Sequence, residues 1–161
     1  KAWTYEVDIP DEWVPKMLDL DAPIGEQTPA VQKALESVKK DLEDSGVLDE
    51  YLEQKNADWE ELTGAELHQH ILNRAHLDDV LPYTAYENKF VKDTSDAKQV
   101  VAAYLTDKGI MGTKYFDASA RASGEGTRNF VPFPTYTSQV PILNVWEGPP
   151  QANWVSKPSQ K

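Results

Sequence analysis

The chain has 161 residues, 40% hydrophobic and 27% charged, enough apolar content for one domain with a buried core and too much for a disordered tail. Lysine and arginine total 16 against 27 aspartate and glutamate, for a net charge of -11, which disfavours phosphate backbones and anionic lipid and suits a basic protein partner. The absence of cysteine excludes disulfides, thiolate metal sites and a cysteine nucleophile, and no run of about 18 apolar residues could span a membrane.

Trp3, Tyr5, Val7 and Ile9 alternate with polar residues, which predicts a half-buried strand ended by Pro10 and Asp11. The stretch is not a signal peptide, and a chain that opens inside a strand reads as a piece of something longer. Residues 11–29 read as a loop anchored by Trp13, Met17, Leu18 and Leu20. Thr28-Pro29 is a helix start, and Val31, Leu35, Val38 and Leu42 follow on one face until Asp44-Ser45-Gly46 stops the run. Val47, Leu48, Tyr51 and Leu52 suggest a short second helix.

Thr63 to Glu66 has the form of a capping box and opens a helix carrying Leu67, Ile71 and Leu72. The signal weakens between His76 and Phe90, where Pro82 interrupts an apolar pattern. Ser95 is the expected cap of a further helix with Val100, Val101, Tyr104 and Leu105 inward, closed by Gly109. Three strand-like runs follow, at residues 113–117, 128–133 and 141–146; Pro132 places the second at an edge or a bulge. The N-terminal strand is expected to pair with these three. Residues 147–161 read as an extended tail. Strand, helices, then strands is an α+β order, with residues 1–146 as a single domain.

His68, His70 and His76 lack metal-ligand spacing and read as surface or boundary residues, so no metal is expected. The loop from Asp117 to Arg128 is either a binding site or a plain turn. Gly124 and Gly126 suit positive φ, and a strand rather than a helix follows them, so "GEG" is no dinucleotide fingerprint. Arg121 and Arg128 could hold a phosphate or carboxylate, or could pair at the surface with Asp117 or Glu125.

The segment "GIMGTKYFDASARASGEGTRNFVPF" resembles one found in large phage and prophage polyvalent proteins. The resemblance rests on Gly109, Ile110, Gly112, Tyr115, Asp117, Arg121, Gly124, Gly126, Asn129, Phe130, Val131 and Phe133. "YEVDIPDE", "LDLDAPIGEQTPAVQKAL" and "LTGAEL" look like that family's upstream blocks, so the likeness spans most of residues 3 to 146. The segment is also similar to the second half of an ADP-ribosyltransferase fold, whose catalytic glutamate directly precedes an aromatic-Val-Val-aromatic run.

The resemblance implies NAD as substrate and Asn129 at the glutamate position, with Glu125, four residues earlier, as a candidate substitute. It implies ligand contacts from Tyr115, Asp117, Ser119, Arg121, Arg128 and Phe130. Asparagine can hydrogen-bond a ribose hydroxyl but offers no negative charge to an oxocarbenium ion. The superfamily's first half, which binds the nicotinamide end, has no counterpart here. The implied protein is therefore an incomplete or degenerate ADP-ribosyltransferase-like domain, in a bacterial host cytoplasm or a phage virion. The alternative is a non-enzymatic acidic virion or protein-interaction module, and a third reading is an acidic decoy for a DNA-binding defence protein.

The apolar spacing generates a first test. Leu35→Ala is expected to cost about 2–5 kcal/mol in denaturant unfolding, and a change under about 0.5 kcal/mol would place Leu35 at the surface.

Overall fold

Thr28 and Pro29 start a helix for separate reasons. The Thr28 hydroxyl accepts the Val31 N–H, and Pro29 needs no N–H at the first helical position. The helix, α1 (Pro29–Asp44), buries Val31, Ala34, Leu35, Val38 and Leu42. The computed structural model describes residues 3–75, 80–118, 120–137, 139–140 and 142–147. Ser119, His76 and residues 148–161 of the tail lie outside them.

Among the described residues the strands are β1 (Trp3–Val7), β2 (Met17–Asp19), β3 (Gly112–Phe116), β4 (Arg128–Pro132) and β5 (Ile142–Glu147). The other helices are α2 (Asp49–Lys55), α3 (Gly64–Arg74), α4 (Tyr83–Tyr86), α5 (Ala97–Asp107) and α6 (Pro134–Thr137). The architecture is α+β, as the element order predicts. No helix of the described residues is long and apolar enough to cross a membrane.

The main core gathers the inner faces of α1, α3 and α5 with Leu18 of β2 and Phe133 beyond β4. All eight residues expected there from helical spacing on α1, α3 and α5 are at most 1% exposed: Val31, Leu35, Val38, Leu42, Leu67, Ile71, Val101 and Leu105. Gly109, at φ +97, closes the end of α5 while the Ile110 N–H returns to the Leu105 carbonyl.

The sheets depart from the expected pairing. Among the described strands β1 pairs antiparallel with β5 alone, Trp3 opposite Glu147, in a two-stranded ribbon. β3 and β4 belong to a second sheet of order β2-β3-β4, parallel between β2 and β3 and antiparallel between β3 and β4. Its first strand lies inside the stretch read as a loop. Met17 and Leu18 are both fully buried, so this three-residue strand has no polar face to alternate with. Pro132 falls on β4, an edge strand, where its missing N–H breaks no ladder.

Three further corrections are local. Asp96 caps α5 by accepting the Lys98 N–H, while Ser95 bonds Asp93 instead. Thr63 caps α3 by accepting the Glu66 N–H, but the Glu66 carboxylate turns to Lys55, at 3.8 Å; the reciprocal capping box forms one turn earlier, between Asp58 and Glu61. His70 is buried, not a surface or boundary residue: its Nε2 meets the Val47 carbonyl at 2.9 Å and its ring stacks on Tyr51. Burial pushes its pKa down, Arg74 adds to the push and the Val47 bond opposes it.

α3 docks through Gly64, whose Cα lies so close to β2 that an added Cβ would stand 2.2 Å from the Asp19 carbonyl oxygen. Gly64→Ala is expected to destabilise the fold by about 1–3 kcal/mol or more, read as a lower denaturation midpoint. An unchanged midpoint would refute this close approach.

Candidate functional site

Strand alternation divides the sheet into two faces. Met17, Asp19, Lys114, Phe116, Arg128 and Phe130 lie on one, and Leu18, Thr113, Tyr115, Asn129 and Val131 on the other. The residues singled out from sequence are therefore not all brought together. Tyr115 and Asn129 are cross-strand partners on the second face, and Asn129 Nδ2 donates to Asp117 Oδ1 at 3.3 Å. Arg128 and Phe130 belong to the first face. There Phe130 packs against a small cluster of Ile9, Val14, Met17 and Val140.

Arg128 is committed within the fold. Its Nη1 donates to Asp19 Oδ2 at 2.8 Å, with both side chains largely buried, and its guanidinium lies 4.0 Å from the Phe116 ring centroid. Lys114 stands between them in the sheet and donates to the Val14 carbonyl at 3.2 Å. Burial pushes the Lys114 ammonium below the ordinary lysine range; Asp19 opposes this and Arg128 adds to it.

Arg121 is different. Its side chain is 59% exposed and holds Asp21 Oδ1 and the Phe116 carbonyl only at 3.4 Å each. The partners of both arginines are thus Asp19 and Asp21, at the end of β2, and not Asp117 or Glu125. Asp21 also accepts the Phe116 N–H at 2.6 Å, and its own N–H donates to Asp19 Oδ1. Gln27, buried in the turn, accepts the Asp19 N–H and donates to the Asp19 and Ala22 carbonyls.

These contacts frame an open cleft of about 420 Å³, lined by Leu20, Asp21, Thr63, Ala65, Tyr115 and Arg121. It lies at the start of α3, but that helix end is not a vacant anion cradle. The Gly64 N–H donates to Ala22, Ala65 to Leu20, Glu66 to the Thr63 hydroxyl and Leu67 to the Thr63 carbonyl. An anion in the cleft would have to be held by Arg121.

The loop after β3 is a tied turn. The Ala120 and Arg121 N–H groups both donate to the Asp117 carbonyl, and Gly124 donates to Ala120. Gly124 and Gly126 have φ of +70 and +112, as their expected role requires. Glu125 is exposed on this turn, its N–H held by the Ser123 hydroxyl; the carboxylate bonded to Asn129 is Asp117. Among the described residues no group of three or more His, Asp or Glu is placed to hold a metal ion.

Sequence reasoning missed Leu20, Asp21, Thr63 and Ala65 as cleft residues. The available signal was two aspartates flanking Leu20 in an acidic chain whose arginines needed partners; nothing in the sequence alone ties them to a loop about 100 residues later. In comparisons with known proteins, no family model, curated protein or solved structure matches this chain.

The long, exposed contacts of Arg121 predict that Arg121→Ala changes stability by less than about 0.5 kcal/mol in urea unfolding. A loss above about 1 kcal/mol would mean that Arg121 is a structural clamp rather than a group available to a ligand.

Proposed function

We propose that the cleft between the start of α3 and the end of β3 binds an anionic, ribose-bearing ligand of the NAD type with little or no group transfer. In this reading the chain is a degenerate ADP-ribosyltransferase-like domain of a phage or mobile-element protein. The observation that carries it is the Tyr115–Arg121 side of the cleft, next to the Asp117–Asn129 pair. Arg121 exchanges its long Asp21 contact for a phosphate, and Tyr115 offers a ring face. Because the Asn129 amide nitrogen is engaged by Asp117, its carbonyl oxygen is the group that accepts a ribose hydroxyl. Asn129 carries no charge to offset a growing oxocarbenium ion, which supports binding without efficient transfer.

A second reading, a non-enzymatic protein-interaction module, is favoured by one separate observation. The large apolar residues exposed among those described are Val131 and three residues of β5.

Calorimetric titration with NAD, beside Arg121→Ala and Asn129→Ala, tests the first reading. The expected result is weak binding, about tenfold or more weaker in Arg121→Ala as one charge-assisted contact is lost, with no nicotinamide release. No heat at millimolar NAD, or equal affinity in all three proteins, would overturn it.

A further inference from the structure

β5 is an edge strand with an unusual surface. It pairs with β1 and with no other strand of the described residues, so one row of its backbone N–H and C=O groups faces away from every ladder among them. Ile142, Leu143 and Val145 are 59%, 53% and 48% exposed. Val145 and Ile142 stand opposite Tyr5 and Val7 and so share one face of the ribbon, while Leu143 is the extra residue of a bulge between Ile142 and Asn144. A two-stranded ribbon is marginal in water, and a third strand is the usual way such a unit gains stability.

The charge around the ribbon selects what that strand can be. Residues 1–13 contain Glu6, Asp8, Asp11 and Glu12 against Lys1 alone, and residues 139–148 contain Glu147 and no cation. A second copy of this chain, at a net charge of -11, would bring the same acids to the same edge and be repelled. An apolar strand flanked by lysine or arginine meets both the exposed side chains and the acidic surroundings.

We propose that the open edge of β5 is a docking site for an extended, apolar segment with basic flanks, supplied by another protein and added as the third strand of the ribbon. Backbone hydrogen bonds would give the pairing, and Ile142 and Val145 would cover the guest's side chains on their shared face. This surface is separate from the cleft and does not depend on what the cleft binds.

The probe is a fluorescein-labelled peptide with a Thr-Val-Thr-Val-Thr core and two lysines at each end, compared by anisotropy with the same core flanked by glutamates, using the whole chain. The lysine-flanked peptide is expected to bind at least tenfold tighter at low salt, with the difference shrinking as salt is raised. The Ile142→Lys/Val145→Lys variant should lose that binding. Amide exchange of the unsubstituted protein gives a readout independent of that variant's folding: β5 N–H groups should slow when the lysine-flanked peptide is added. Equal binding of both peptides, no binding at millimolar peptide, or unchanged β5 exchange would overturn the proposal. Concentration-dependent dimerisation that the peptide does not compete would assign the edge to a second copy and overturn it as well.

Discussion

The Asp19–Arg128 ion pair is the contact on which the arrangement of the second sheet depends. It joins β2 to β4 across the intervening strand and across 109 residues of chain. Parallel pairing of so short a strand offers few ladder bonds, since only Met17, Leu18 and Asp19 stand in register with β3, extended by one bond from the Leu20 N–H to the Lys114 carbonyl. A charge-assisted bond from the far edge, roofed by Phe116 and flanked by Lys114, supplies the specificity that three residues of backbone pairing cannot. The arrangement is costly to half-remove, because either partner left alone would be a largely desolvated charge.

The same strand end builds the cleft. Once Asp19 is fixed, Gln27 holds its peptide from below and its carboxylate catches the Asp21 N–H, so the turn after β2 has one geometry. That turn in turn receives the first N–H groups of α3, through the Leu20 and Ala22 carbonyls, and the absence of a side chain at Gly64 lets the helix approach. Tyr115 and Arg121 arrive from the other side on β3 and its following loop. The two arginines that the sequence makes conspicuous thus divide their labour: Arg128 organises the sheet, and Arg121 stands at the opening.

What the sequence made legible follows the physics of each signal. α1, α3 and α5 carry apolar faces over several turns with polar starts, so their existence and inward residues could be read directly. The glycine turn, β3, β4, β5 and the edge position marked by Pro132 were legible for similar local reasons. β2 was not, because a short strand buried on both faces shows only "ML", which fits a loop anchor equally well. The cap of α5 slid by one residue because Ser95 and Asp96 are both good caps and the choice rests on Asp93 capturing the serine. His70 was misplaced because its stacking on Tyr51 and its bond to Val47 are tertiary. Of the candidate site, the loop and its residue types were visible. The division of those residues between two sheet faces, and the aspartates that meet the arginines, needed the register.

A double-mutant cycle on Asp19→Asn and Arg128→Met, read by urea unfolding, measures the contact on which this account rests. The account predicts a coupling energy above about 1 kcal/mol, with the double variant more stable than the two single losses summed, because it leaves neither charge alone. Additivity within about 0.3–0.5 kcal/mol would contradict it and leave the placement of β2, and with it the cleft, without its anchor.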